Sequence, residues 1–182
     1  NAATLANSTV PFPTAVERLA RHWESLTLDQ VFRADVRALA TKMLSWTFRL
    51  VSGGAHLLPN IRGMVDSAPL RGFLHRVLET PDGILHGVQE NIRAGRLHAV
   101  GLMTTQYPTA QSVTWAQGAD IQPWQNAERS GVNTTLTVDH IMGSSSLPLV
   151  FPAAKIDNAW HGDGGIRLTA PLSPAVNLGA DR

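Results

Sequence analysis

The chain has 182 residues and a mass of 19.6 kDa, which suffices for one domain with a buried core and is too little for two ordinary domains. Fifteen Lys and Arg residues against fourteen Asp and Glu residues leave a net charge of +1, which argues against a strongly basic nucleic-acid-binding surface. Hydrophobic residues make up 43% of the sequence, which excludes extended disorder. The sequence contains no cysteine, which excludes disulfides, zinc–thiolate sites and thiol nucleophiles.

The first half of the chain carries helical patterns. Apolar residues recur at three- and four-residue spacing over residues 13–25 and again over residues 28–50. The second range predicts two helices with a break near Arg33. Further helices are predicted over residues 69–79 and 82–94, the second with Asp82 as its cap. We therefore expect a mainly helical region over about residues 13–94.

The pattern changes at residue 97. Residues 97–105 form a nearly continuous apolar run, and residues 112–115 alternate, so two strands joined by a turn are predicted. A short helix over residues 136–142 and a hairpin over residues 153–161, with its bend at Asp157-Asn158, follow. This strand-rich region, about residues 97–182, combines with the helices to predict a layered α/β fold.

A group of unusual residues stands out near the end of the chain. Three serines at 144–146 open a turn-rich segment that ends at Pro152, and Asp163-Gly164-Gly165 follows eleven residues later. Glycines directly after an acid allow positive φ and let the backbone approach a neighbouring group closely. This geometry suits a general base in a crowded site, although Asp-Gly-Gly by itself is far more often an ordinary turn capped by the Asp.

The order of these segments is more specific than any one of them. Four successive segments carry the signal: a helix running into His140-Ile-Met-Gly-Ser-Ser-Ser-Leu-Pro-Leu-Val-Phe-Pro, a short strand pair, Asp-Gly-Gly, and then Leu178-Gly-Ala-Asp. In this order, they resemble the C-terminal half of the patatin-like phospholipase family. Ala68-Pro-Leu-Arg is similar to the start of that family's P-L-R helix. One departure is Thr169, where the family more often has Asn.

The resemblance implies roles for five residues. In the family, a small-residue segment of the form A-S-x-A-x-P precedes the D-G-[GA] motif that carries the catalytic aspartate. Asp163 is thereby identified as the catalytic aspartate. Gly164, Gly165, Ser145 and Pro148 are the motif residues that support it.

The resemblance also implies a three-layer α/β/α hydrolase fold, of which residues 1–182 are an incomplete part of a single domain. The family's nucleophile is a serine in a G-x-S-x-G elbow, and these residues contain no such pentad; around Ser145, the second glycine is replaced by Leu147. Asn1-Ala-Ala is similar to the stretch that directly follows the elbow. We therefore expect the nucleophile and the oxyanion loop upstream of Asn1, and another chain or segment that completes the domain.

The implied function is that of a serine lipid acyl hydrolase using a Ser/Asp dyad without a cofactor. Its expected partners are a phospholipid or other acyl ester and, transiently, a membrane surface, with no nucleic acid. Because no targeting or membrane-spanning segment occurs in these residues, a cytoplasmic or membrane-associated location is expected.

Two other functions remain open at this stage. A non-catalytic lipid-binding or scaffold protein would keep the patatin-like fold and lack the elbow. A metal-dependent hydrolase would use His140, His161 and Asp163 as ligands. Arg167, four residues after Asp163, could also form an ion pair with the carboxylate and weaken it as a base.

Overall fold

The computed structural model describes residues 1–32, 65–167 and 172–180 of the chain. Helices come first in the described part of the chain, and strands begin at residue 99. The helices are α1 (Ala2–Asn7), α2 (Phe12–Glu24), α3 (Leu28–Val31), α4 (Ala68–Val77), α5 (His86–Arg93), α6 (Val138–Ser144) and α7 (Ser173–Asn177), with a 3₁₀ turn at Gly164–Arg167. Of the two helices predicted over residues 28–50, the first corresponds to α3, and the second lies outside the described residues.

Local chemistry explains where several helices begin. Pro13 lies in the first turn of α2, where its missing N–H leaves no hydrogen bond unmade. The Thr137 and His140 side chains form a capping box at the start of α6. Asp82 does not cap α5 as predicted, because its carboxylate accepts hydrogen bonds from the Ile84 N–H and from the His86 ring. It holds the turn before the helix, which starts at His86 rather than at Asp82.

Six strands form one mixed sheet. They are β1 (Ala99–Gln106), β2 (Ser112–Gly118), β3 (Trp124–Gln125), β4 (Arg129–Asn133), β5 (Ala154–Ile156) and β6 (Ala159–Asp163), in the spatial order β3-β4-β2-β1-β6-β5. Within the described residues, β2 and β4 form the parallel pair, and β1 is antiparallel to both of its neighbours. The two strands predicted over residues 97–105 and 112–115, joined by a turn, are confirmed as β1 and β2, and their connection of only five residues permits antiparallel pairing alone.

The hairpin predicted near the end of the chain is confirmed. Strands β5 and β6 are joined by Asp157 and Asn158, and Asp157 has a φ of +51°. Asp and Asn tolerate this left-handed conformation better than most residues, which suits a two-residue hairpin turn. The turn brings β6, and Asp163 at its end, back against β1.

The main core lies between one face of the sheet and the helices. Leu85, Val88 and Leu136 are completely buried there and pack with Val100 and Trp115 from the sheet. Side chains from α1, α4, α5 and α6 extend the same cluster. The side chains of a strand alternate between its two faces, so Gly101 opens onto the opposite side of the sheet from Val100.

That opposite side also carries a helix. Leu178, directly after α7, lies against Gly101 where a larger side chain would collide with it. Helices therefore lie on both faces of the sheet, and the chain has the predicted α/β fold. No helix in the described part of the chain has the length and apolar character needed to span a bilayer.

Candidate active site around Asp163

Asp163 is the last residue of β6 and lies opposite Thr104 of the central strand β1. Its main-chain N–H donates to the Ser146 carbonyl at 2.8 Å, and its own carbonyl accepts from the Thr105 hydroxyl at 3.0 Å. The backbone of the aspartate is thus fixed from the loop after α6 on one side and from β1 on the other. These two bonds hold the aspartate at the end of β6.

The Asp163 carboxylate is only partly buried, and one of its oxygens is held in place. Oδ1 accepts a hydrogen bond of 2.7 Å from the Gly165 N–H, which makes a local Asx-type turn. Among the described residues, Oδ2 has no hydrogen-bond partner. A carboxylate that is oriented through one oxygen and free at the other can take a proton at a defined position.

The two glycines after Asp163 serve the close approach that the sequence predicted. A Cβ on Gly164 would lie 2.5 Å from the carbonyl oxygen of Met103 in β1, so no larger residue fits there. A Cβ on Gly165 would lie 3.1 Å from Asp163 Oδ1. Neither glycine has a positive φ, because the chain continues directly into the 3₁₀ turn. Space, and not a left-handed backbone, is the reason for glycine at position 164.

Ser145 and Pro148 are both exposed, and the Ser145 hydroxyl forms no hydrogen bond with the Asp163 carboxylate. The Ser145 hydroxyl donates to the Ile141 carbonyl at 2.6 Å, which ties it to the last turn of α6. From this segment, it is the next residue, Ser146, that bonds to Asp163, through its main-chain carbonyl. The small-residue segment thus supports the aspartate strand through its backbone.

The two arginines singled out in the sequence have partners elsewhere. Arg167 donates to the Ala110 carbonyl and forms no ion pair with Asp163 within the described ranges. Arg71, from the P-L-R helix start, forms an ion pair of 2.5 Å with Asp139 and so joins α4 to α6. The carboxylate of Asp163 is therefore not neutralised by Arg167.

Tyr107, in the turn between β1 and β2, lies beside Asp163. A Cβ on Gly162 would overlap the Tyr107 hydroxyl, so the ring lies over the strand that carries the aspartate. Burial raises the pKa of Tyr107 above its usual value, and the negative charge of Asp163 raises it further. The one available signal was that this is the only tyrosine in the chain.

Two buried histidines flank the indole of Trp115 behind the site. The ring centroids of His140 and His161 lie 4.8 Å and 5.4 Å from that of Trp115. The Trp115 N–H donates to the Thr104 hydroxyl at 2.8 Å, and Nδ1 of His161 lies 2.9 Å from the same oxygen. Burial lowers the pKa of both histidines, while the negative charge of Asp157 raises it and so opposes part of that change. Both imidazoles therefore favour the neutral form.

These histidines do not form the metal site considered from the sequence. Nδ1 of His140 accepts from the main-chain N–H of Thr137 at 3.0 Å, and His161 is turned toward Thr104. Across residues 1–32, 65–167 and 172–180, no three His, Asp or Glu side chains come close enough together to hold a metal ion. The arrangement of His140, His161 and Asp163 thus gives no support to the metal-dependent hydrolase.

Comparison with known protein families gives a match over most of the chain. The family model for patatin-like phospholipase matches residues 1–176. Neither the comparison with curated proteins nor that with solved structures gives a match. Since the matched residues include the helices, the sheet and the Asp-Gly-Gly motif, the chain belongs to the patatin-like phospholipase family, a family of lipid hydrolases.

Proposed function

We propose that the protein is a serine lipid acyl hydrolase in which Asp163 is the general base of a Ser/Asp dyad. The observation that carries this proposal is the geometry of the aspartate, whose main chain is fixed between Ser146 and Thr105. Its Oδ1 is oriented by the Gly165 N–H, which leaves Oδ2 to exchange a proton. Membership of a lipid-hydrolase family supports the substrate class.

In the first half of the reaction, Oδ2 of Asp163 takes the proton from a serine hydroxyl while the serine oxygen bonds to the ester carbonyl carbon. The bond from that carbon to the alcohol oxygen then breaks, and the alcohol leaves with the proton held by Asp163. In the second half, Asp163 takes a proton from water, whose oxygen attacks the acyl-serine. The carboxylic acid is released, and the proton returns to the serine oxygen.

The nucleophile in this proposal is a serine outside the 182 residues, in the G-x-S-x-G elbow that the family resemblance implies. Backbone N–H groups of an upstream glycine-rich loop stabilise the oxyanion. A further segment or chain then completes the domain next to α1. The proposal includes transient contact with a membrane surface, where phospholipid esters are found, and excludes nucleic acid as a partner.

The test is the substitution Asp163→Asn in the full-length protein. Asn has nearly the same shape as Asp but cannot take the proton, so we expect kcat/KM to fall by about a hundredfold or more. Hydrolysis is measured on phospholipids, lysophospholipids and short-chain p-nitrophenyl esters. Circular dichroism of the variant verifies that it remains folded.

Asp157→Asn is the matched control. It makes the same chemical change six residues away, in an exposed hairpin turn where Asn tolerates the left-handed backbone. We expect this variant to keep its activity within about twofold, since a change at an exposed site away from the reacting atoms has little effect. A folded Asp163→Asn variant with most of its activity would refute the assignment.

The runner-up function, a non-catalytic lipid-binding or scaffold protein, makes a different prediction for the wild type. Such a protein binds lipid vesicles but hydrolyses none of the esters, and its sequence before Asn1 contains no G-x-S-x-G. Determining the residues that precede Asn1 and assaying the wild type together distinguish the two functions.

A further inference from the structure

A cleft of about 470 Å³ lies on the helical side of the described structure, between α2, the segment that joins α1 to α2, and the C-terminal end of α4. None of the residues that fix Asp163 lines it. Its walls come from parts of the chain that are more than 50 residues apart in sequence, so only the tertiary fold brings them together.

Four basic residues are among those that line this cleft. Arg18, Arg21 and His22 come from α2, and Arg76 comes from the last turn of α4. Glu79, with a φ of +53°, is the carboxylate among the lining residues. The three guanidinium groups outnumber the single carboxylate, so the cleft carries a net positive charge even with a neutral histidine.

The arginines of the cleft are not held by carboxylates of the described residues. The salt bridges among the described residues join Arg71 to Asp139 and His86 to Asp82, and none of these residues lines the cleft. Like charges gathered in a concave surface repel one another, and the low-dielectric walls strengthen their field. An anion bound between them would relieve this repulsion.

The spacing along α2 explains why these side chains share one wall. Arg18 and Leu19 lie three and four residues after Ala15, and His22 lies four and three residues after them, so the four residues lie on one flank of the helix. Ala15 is buried against the body of the protein, while the longer polar side chains beside it border the cleft.

We propose that this cleft binds a phosphate-bearing anion, a phosphate monoester or diester. Guanidinium groups present several N–H donors in a planar fork that matches the oxygens of a phosphate, and charge-assisted hydrogen bonds of this kind are strong. The hydroxyl groups of Ser8 and Thr9, which also line the cleft, add donors at its edge. The volume exceeds that of a phosphate group alone and leaves room for a polar group attached to it. This site does not depend on the proposed ester hydrolysis.

The source of the phosphate, a soluble molecule or a lipid headgroup, is decided by separate arms of one experiment. Isothermal titration calorimetry measures the binding of inorganic phosphate and of glycerol 3-phosphate to the full-length protein. Co-sedimentation measures its binding to vesicles of phosphatidylcholine with and without phosphatidic acid. Binding in the first arm indicates a soluble phosphate, and binding only to the vesicles that contain phosphatidic acid indicates a headgroup.

Three substitutions then locate the binding. Arg76→Gln and Arg18→Gln should each weaken binding of the responding probe by about tenfold or more, the effect of losing a charge-assisted hydrogen bond. Glu79→Gln should tighten it, because a repulsive charge is removed. Both arginines are exposed, so their replacement by Gln should leave the fold intact, which circular dichroism verifies.

Arg93→Gln is the matched control for Arg76→Gln. Arg93 lies in the last turn of α5, is exposed and is not among the residues that line the cleft, so the same charge is lost at an equivalent place in a helix. We expect it to leave binding unchanged. No binding to any of the probes, or equal losses in Arg76→Gln and Arg93→Gln, would overturn the proposal.

Discussion

Gly164→Ala tests whether the Asp-Gly-Gly motif lies as close to the central strand as the structure places it. The added Cβ would lie 2.5 Å from the carbonyl oxygen of Met103, 2.6 Å from its carbonyl carbon and 2.7 Å from its Cβ. All three atoms belong to β1, which is hydrogen-bonded to strands on both sides and cannot move alone. Rotation of a side chain therefore cannot relieve the overlap.

The magnitude follows from two opposing effects. Forcing an extra methyl group into a packed site costs about 1–3 kcal/mol, and a rigid backbone neighbour puts Gly164 at the upper end of that range. Replacing Gly by Ala also stabilises the folded state by about 0.4–1 kcal/mol, because it lowers the conformational entropy of the unfolded chain. We expect a net loss of about 2 kcal/mol in the free energy of unfolding, or about 4–8 °C in Tm for a protein of this size.

The assay is denaturant unfolding followed by tryptophan fluorescence, for which buried Trp115 is an internal reporter. Gly165→Ala is the control, since its Cβ would meet the end of a side chain, the Asp163 carboxylate at 3.1 Å, rather than the backbone of β1, and position 165 is exposed. That control should change stability by less than about 0.5 kcal/mol. A Gly164→Ala protein as stable as the wild type would refute the packing of this motif against β1.

Two further predictions concern ionisation. As the only tyrosine, Tyr107 can be titrated by its ultraviolet absorbance, and we expect its pKa to lie above the usual 10.0 because of burial and the charge of Asp163. Asp163→Asn should lower this pKa toward the usual value, and an unchanged pKa would contradict the proximity of the two side chains. Burial lowers the pKa values of His140 and His161 below the usual 6.5, so the unfolded state takes up protons first as the pH falls. Their contribution to stability is present above about pH 6.5 and is lost below it, at no more than about 1.4 kcal/mol per pH unit for each histidine. Melting temperatures measured from about pH 7.5 to about pH 5.5 should therefore fall, and NMR titration should show both imidazoles protonating below their usual pKa.

Features governed by a few neighbouring residues could be predicted from the sequence. The bend at Asp157-Asn158 follows from the tolerance of these residues for tight turns, and α2 follows from its apolar spacing and from Pro13. The strand predicted over residues 97–105 is found at Ala99–Gln106. Strands β3 and β4 were missed, because their short polar segments carry no clear alternation and are held by pairing with β2 and with each other.

In the candidate site too, features set by neighbouring residues could be predicted from the sequence, and features set by tertiary contacts could not. The close approach of Asp163-Gly164-Gly165 to a neighbouring strand could be predicted, since an acid followed by two glycines is a local signal. The contacts of Ser145 could not, because they depend on α6 ending near that residue, so that its hydroxyl bonds to the helix and the Ser146 carbonyl reaches Asp163.

What the sequence by itself determined is therefore local: most of the helices, the hairpin turn, the absence of thiol chemistry and the motif order that resembles the patatin-like family. Tertiary structure alone decided which strands pair, that Tyr107 lies against the aspartate strand, and that Arg18 and Arg76 line one cleft. Turn and helix preferences depend on side chains a few residues apart. The placement of groups more than 50 residues apart depends instead on how the apolar surfaces of whole helices and strands pack together.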